Sequence, residues 1–264
     1  MITAGIDVGN KYAKVVLLDG DRVLARQSRP TGFEQKEAAS SALVAALAEA
    51  GISREQVAGV VATGAGKSEV VFADDHITEV GADARGALFL VPAARTVVDV
   101  GAEEGRAIRL DGNGRVVDFA MNEKCAAGAG SFTESMARAL EVDLIEMGPL
   151  SLKSTRLVPM NAQCAVFAES EVVSLIHART SKEDIARAVN DAMASRIVSM
   201  TRRVGVEKEV VLIGGVAHNV GFVKGLEEGL ELKVVIPEGP EYVTALGAAC
   251  AAREKAGNGG KDNG

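Results

Sequence analysis

Two aspartates, a glycine pair and two cysteines carry the chemistry that this sequence offers. Asp7 lies in Gly5-Ile6-Asp7-Val8-Gly9, and Asp99 stands in the same apolar–Asp–apolar–Gly pattern in Val98-Asp99-Val100-Gly101. A carboxylate at a strand end, beside a glycine turn, lets backbone N–H groups approach a phosphate while the carboxylate reaches hydrated Mg2+. One such turn is an ordinary feature of many folds. Two of them, followed by Gly214-Gly215 after a later apolar run, make a more specific set. A glycine pair there suits the close approach of a base or ribose to backbone. Cys125 and Cys164 each precede a helical pattern. Free helix N–H groups and the positive end of the dipole favour a thiolate at such a place. They equally favour an anionic iron–sulfur cluster, which normally takes four thiolates, and a two-fold dimer giving two each would supply them. Two buried structural cysteines are the other reading of the same spacing.

The elements that must position these residues read as two α/β lobes related by an internal repeat. Short runs over 3–9, 14–20 and 23–27, punctuated by Gly and Asp, predict hairpin-connected strands. Residues 36–50 are rich in Ala, Leu and Glu and stop at Gly51, which predicts a helix. A buried strand over 57–63 ends in Thr63-Gly64-Ala65-Gly66-Lys67-Ser68. That run superficially matches a phosphate-binding loop, yet it lacks the four-residue spacer before Gly-Lys and reads as a strand-to-helix turn near the expected cleft. From Arg95 the order repeats: a strand over 96–101, then a hairpin of 106–110 and 115–119 turning at Asp111-Gly112-Asn113-Gly114. Helical patterns follow over about 126–140, 166–177 and 182–204, then strands over 209–215 and 233–236 and a small-residue helix over 243–254. The expected division is a first lobe of 1–93, on which a helix of 241–256 packs back, and a second of 94–240 that carries the cysteines. Residues 257–264 read as a disordered tail.

Composition removes several classes of function. The chain has 264 residues, 47% hydrophobic and 25% charged, with a net charge of −7. An acidic surface without a basic stripe argues against nucleic acid, and no tryptophan with two tyrosines leaves few stacking platforms for bases. No apolar run approaches the roughly 18 residues of a membrane span. The first residues lack a basic region and an apolar signal segment, so a cytoplasmic location is expected. Three cysteines do not make a disulfide framework. Cys250, within a run of small helix-packing residues, reads as a buried thiol. His76, His177 and His218 are not spaced as a metal set, although His218 follows the glycine pair.

The two Asp turns and the glycine pair together resemble the actin–hexokinase–Hsp70 superfamily of two-lobed ATPases. The resemblance implies an actin-like α/β fold with tandem ribonuclease-H-like lobes. It further implies that Asp7 and Gly9, with Asn10 and Lys11, form a first phosphate loop, and Asp99, Gly101 and Ala102 a second. Gly214, Gly215 and Val216 would lie at the adenosine. A narrower resemblance rests on 122–128, Asn-Glu-Lys-Cys-Ala-Ala-Gly, and on 164–172, Cys-Ala-Val-Phe-Ala-Glu-Ser-Glu-Val. These match a signature of the BadF/BadG/BcrA/BcrD-type ATPases, the activators of 2-hydroxyacyl-CoA dehydratases and the ATPase subunits of ATP-dependent benzoyl-CoA reductases. The likeness extends from Gly5 to about Ala252.

In that family two homologous subunits share one 4Fe-4S cluster, so the resemblance implies Cys125 and Cys164 as its ligands, with ATP and Mg2+ as the other cofactors. It implies an ATPase coupled to electron transfer: a ferredoxin or similar donor upstream, and a partner downstream that reduces or dehydrates an acyl-CoA. Lys124 beside Cys125 would raise the cluster potential or simply face water. One stretch departs from the pattern. Where many activators carry Gly-Gly-Gln-Asp, this chain has Gly101-Ala102-Glu103-Glu104. Ala102 reduces backbone freedom, and Glu103 sets a carboxylate toward phosphate or water, unfavourable unless a cation offsets it. Glu103 and Glu104 are the candidates for positioning water or metal. The longer variant Asp99-x-Gly101-Ala102-x-x-Gly105-Arg106-Ala107-Ile108 is similar to one of the two benzoyl-CoA reductase ATPase subunits, so the first expectation is a hetero-oligomeric reductase of anaerobic aromatic degradation. The alternative is a homodimeric 2-hydroxyacyl-CoA dehydratase activator. More distant readings are a small-molecule kinase of the same superfamily and a nucleotide-sensing interaction protein without a cluster.

Overall fold

The computed structural model describes residues 1–122, 129–160 and 165–258. In chain order the first elements are β1 (Ile2–Val8), β2 (Tyr12–Asp19), β3 (Arg22–Pro30), α1 (Gln35–Ala50), β4 (Val57–Thr63), β5 (Asp75–His76) and α2 (Glu79–Leu90). Next come β6 (Thr96–Val100), β7 (Gly105–Leu110), β8 (Val116–Asn122), α3 (Gly130–Leu140), α4 (Leu144–Ser151) and α5 (Ala165–His177). The remainder is α6 (Lys182–Val204), β9 (Val210–Ile213), α7 (Val220–Leu230) and α8 (Val243–Asn258). The chain divides into two compact units, Met1–Ala93 with the chain from Glu241 onward, and Ala94–Pro240. It is a mixed α/β fold in which two sheets are flanked by helices.

The sheet of the first unit runs β3-β2-β1-β4-β5, with β1 antiparallel to β2 and parallel to β4. Strand alternation sorts the side chains of β1 between two helical layers. Ala4, Ile6 and Val8 share a core with Ala39, Ala42 and Ala46 of α1. Thr3 and Gly5 face α8: the Thr3 hydroxyl donates to the Ala249 carbonyl, and a Cβ on Gly5 would fall on the backbone of Ala245 and Ala249. Asp7 is the next residue on that face of the strand. The same helix meets α2 through small residues, since a Cβ on Gly86 would strike the Val243 carbonyl and one on Gly247 the Ala82 carbonyl. Thr244 donates to the buried Asp83 carboxylate at 2.7 Å and pins the crossing.

The second sheet runs β8-β7-β6-β9, with β6 antiparallel to β7 and parallel to β9. Its core holds Val98, Val100 and Leu212 against Ile185, Val189, Met193 and Ile197 of α6. The N-terminus of α6 is secured twice. The Ser181 side chain accepts from the Asp184 N–H, and the Asp184 carboxylate accepts from the Ser154 hydroxyl and the Thr155 and Arg156 N–H groups. Those donors, the Ser154 hydroxyl foremost, hold the Asp184 carboxyl down to about 2.

Several elements differ from the sequence expectation. α2, α4 and α7 were not anticipated; Pro149 sits inside α4 and Gly148-Pro149 reads as a breaker in sequence. The strand expected over 233–236 is a single bridge between Val235 and Val211, cut short by Pro237, which has no N–H to continue a ladder. α8 runs on to Asn258, two residues into the expected tail, and the rest of that tail lies outside the described residues. The helix expected from about 126 begins in the described residues at Gly130.

Two tests follow from the packing. Gly247→Val should separate α8 from α2 and lower stability by about 3 kcal/mol or more, read from denaturant midpoints; a loss within about 0.5 kcal/mol would contradict this crossing. Asp184 has a folded-state pKa depressed below its unfolded value, so its contribution is full above pH 3.8 and is lost as pH falls toward about 2. Unfolding midpoints of the wild type and Asp184→Asn should therefore differ at about pH 5 and converge over that window.

Candidate functional site

Asp7, next to last in β1, is 6% exposed, a charge that would be costly without a partner. Its cross-strand neighbour in the register is Lys14, and the Lys14 ammonium donates to Asp7 Oδ2 at 3.0 Å. The chain turns back through Gly9, whose N–H donates to the Tyr12 carbonyl at 3.1 Å, with Asn10 exposed and Lys11 half-buried at the tip. The Thr31 hydroxyl caps the Gly9 carbonyl at 2.8 Å. The other Asp7 oxygen lies over Gly64, which follows β4: a Cβ there would sit 2.7 Å from Asp7 Oδ1 and 2.5 Å from the Val8 carbonyl. Gly64 also has φ of 93°, where a side chain is strained.

The second unit repeats this arrangement at the aspartate, its basic partner and the two glycines. Asp99, 3% exposed at the end of β6, pairs in the register with Arg106, whose Nη2 donates to Asp99 Oδ2. In both units the basic residue follows its aspartate by seven positions. The Gly101 N–H donates to the Glu104 carbonyl at 2.9 Å, as Gly9 does to Tyr12. Gly214, with φ of 88°, lies under Asp99 Oδ1 and the Val100 carbonyl as Gly64 lies under Asp7 and Val8. The parallel registers agree as well, Asp7 beside Thr63 and Asp99 beside Ile213. Gly64 is therefore the structural counterpart of Gly214, and the turn that resembled a phosphate-binding loop in sequence belongs to the first Asp turn.

The second turn carries two additions. Arg106 reaches Glu104 with its other nitrogen, Nη1 to Oε2 at 3.0 Å, so Glu104 helps anchor the guanidinium while Glu103 is exposed. Gly101 and Ala102 accept from the first N–H groups of α3, Gly130 N at 2.9 Å and Ser131 N at 2.7 Å. A Cβ on Gly130 would lie 3.1 Å from Val216, so Val216 packs on the start of α3. Gly215 is exposed, and a Cβ there would meet nothing within 4 Å, which leaves room for a ligand to approach the backbone.

Cys125 and Cys164 lie outside the described residues. The helices that follow them are described: Phe132 and Met136 of α3 share a core with Ala168 and Val172 of α5. Among the described residues no group of three or more His, Cys, Asp or Glu is placed to hold a metal. Cys250 is buried in α8, and burial pushes its thiol up to about 11, which suits packing and not redox chemistry. The pairing of Lys14 and of Arg106 with the two aspartates, and the place of Gly64 beneath Asp7, escaped the sequence reading. The signal for the first two was the repeated spacing from each aspartate to a basic residue on the next strand.

The equivalence of the turns is testable by thermal unfolding. Gly64→Ala and Gly214→Ala should each destabilise by about 2–4 kcal/mol, from left-handed strain plus a displaced carboxylate. Gly215→Ala, with open space around it, should cost less than about 1 kcal/mol. Equal costs at all three positions would contradict the packing described.

Comparison with known proteins agrees with this geometry. Residues 4–252 match the model of the BadF/BadG/BcrA/BcrD ATPase family. The activator of lactoyl-CoA dehydratase from Anaerotignum propionicum is 41% identical over 97% of this chain and 99% of its own. The activator of the 2-hydroxyisocaproyl-CoA dehydratase from Clostridium difficile, solved with bound ADPNP, superposes with a TM-score of 0.94 at 36% identity, covering 100% of this chain and 98% of that one. A benzoyl-CoA reductase subunit of Thauera aromatica is 36% identical over 94% of this chain and 92% of its own. A family match over nearly the whole chain, joined to a repeated Asp–base–Gly turn in an actin-like frame, places this protein in the BadF/BadG/BcrA/BcrD ATPase family.

Proposed function

We propose that this chain is the ATP-hydrolysing activator of a 2-hydroxyacyl-CoA dehydratase, a homodimer that delivers one electron at low potential to its partner. The ATPase role follows from the family. The choice of partner revises the sequence expectation of a benzoyl-CoA reductase component, which rested on the variant Asp99-x-Gly101-Ala102-x-x-Gly105-Arg106-Ala107-Ile108. Relatives named as dehydratase activators reach 41% identity against 36% for the benzoyl-CoA reductase relative. Arg106 pairs with Glu104, the residue that stands where many activators have Asp, while Glu103, the carboxylate in place of a neutral amide, is exposed.

The donor sets suit the groups this function needs. Two carboxylates beside glycine turns offer hard oxygen ligands for Mg2+ and open backbone for phosphate. Asp7 and Asp99 serve the metal and phosphates, with Gly9, Asn10, Lys11, Gly101 and Ala102 as turn backbone and Gly214-Gly215 at the nucleoside. Without nucleotide, Lys14 and Arg106 hold the two carboxylates in place, and both bring positive charge to turns that a triphosphate would otherwise find repulsive. Two thiolates per chain, Cys125 and Cys164, make four in a dimer, the number a 4Fe-4S cluster takes. When bound, such a cluster supplies the one-electron couple, reloaded by a ferredoxin or similar donor. No described helix is long and apolar enough to cross a membrane.

The observation that carries this reading is the pair of hydrogen bonds from the start of α3 to the carbonyls of Gly101 and Ala102. The helix that follows Cys125 is thereby tied to the turn proposed to hold phosphate. A ligand shifts such an element only by its differential affinity for two arrangements, and these two bonds are where that difference would enter.

The test is iron and acid-labile sulfide on protein expressed alone and purified without oxygen. The expected content is about two irons per chain, lost in Cys125→Ser while Mg–ATP still binds. No iron in the wild type would sink the electron-transfer reading, and a cluster formed only with a second, non-identical subunit would restore the reductase.

A further inference from the structure

Among the described residues three buried polar side-chain atoms have no hydrogen-bond partner: Thr63 Oγ1, Arg109 Nε and Ser131 Oγ. Two of the three belong to the Asp turns. Ser131 opens α3 beside Ala102, and Thr63 ends β4 beside Asp7. Thr63 is 0% exposed, so water does not answer its hydroxyl from outside. Its side chain can be placed by alternation. Val60 and Ala62 face α1, and Val61 packs on Ala248, Ala251 and Ala252 of α8. Thr63 therefore shares the α8 side of the sheet with Asp7 and Lys14, and the three stand in one row across β2, β1 and β4.

The internal repeat supplies a control. The counterpart of Thr63 in the second unit is Ile213, also 0% exposed, beside an aspartate held by Arg106. An apolar side chain satisfies that position in the fold. The first unit instead retains a hydroxyl whose desolvation is uncompensated, beside a carboxylate held by a lysine. Lysine is a compact charge on a flexible stem, and a triphosphate competes for it directly; arginine, forked between Asp99 and Glu104, is less easily drawn away.

We propose that Thr63 is a positioning residue of the first phosphate turn: its hydroxyl becomes the donor to the Asp7 carboxylate when phosphate draws Lys14 away. The orphaned hydroxyl is thus the reserve partner that keeps Asp7 oriented in the loaded state. This rests on the reading of the Asp7 turn as a nucleotide site given above.

The experiment compares wild type, Thr63→Val and Thr63→Ser by thermal unfolding without nucleotide and by titration with Mg–ADPNP. Valine keeps the shape and removes the orphan, so the nucleotide-free midpoint should equal or exceed that of the wild type. The dissociation constant of Mg–ADPNP should rise about tenfold in Thr63→Val, and serine should restore it. Thr63→Val with unchanged affinity overturns the proposal and leaves the nucleotide site standing. A lowered nucleotide-free midpoint in Thr63→Val also overturns it, since the hydroxyl would then be serving the resting fold. Wild type that does not bind Mg–ADPNP overturns the nucleotide reading itself, and this proposal with it.

Discussion

A carboxylate buried at the end of a central strand is tolerated only if something of opposite charge or a set of donors holds it. Here each of the two aspartates is held in the same way, by a base on the adjacent antiparallel strand and by a glycine that lets the chain pass beneath its second oxygen. Remove the base and a buried charge is left uncompensated. Remove the glycine and the carboxylate loses its position. The sheet order, the parallel partner strand and the reverse turn after each aspartate all serve to bring these three residues together, which is why the arrangement recurs in both units with the same spacing.

The two copies are not identical, and their differences have physical consequences. Lys14 holds Asp7 through a flexible stem, whereas Arg106 bridges Asp99 and Glu104 in a planar fork. The first turn is therefore the more adaptable. The second is stiffened by the fork and is joined to α3 by the Gly130 and Ser131 N–H groups. Rigidity there has a use, because a displacement at a stiff turn is passed on to whatever is bonded to it. α8, wedged against Gly5 on one side and Gly86 on the other, gives the first sheet an equally unyielding floor up to the row that holds Asp7.

Much of this was legible in the sequence because it depends on a combination that few other folds need, two Asp turns followed by a later glycine pair. The Asp–x–Gly turns, the glycine pair, β4 and the long α6 follow from local pattern, and α6 matches its expected span of 182–204. The bases at Lys14 and Arg106 were hidden because a lysine or arginine in a strand is ordinary until the register sets it opposite a carboxylate. Gly64 was hidden by a competing motif, its Gly–Lys–Ser neighbours, although its role is that of Gly214. α4 carries Gly148-Pro149 and α7 carries glycines at 221, 225 and 229, all breakers by propensity. Tertiary contact reverses that: Gly221 sits where a Cβ would strike Ser151 and Asn190, and Asn219 both caps α7 and donates to Asn190. Local preference yields to packing where small residues are required for approach.

The central claim is that nucleotide at the Asp turns acts on α3 through the second turn. Amide hydrogen exchange at Gly130 and Ser131, with and without Mg–ADPNP, measures this most directly, because those N–H groups are the bonds in question. The account predicts that exchange at both amides changes on nucleotide binding, together with protection at Gly101 and Gly215. Protection at Gly101 and Gly215 with unaltered exchange at Gly130 and Ser131 would contradict it, since nucleotide would then bind without reaching the helix.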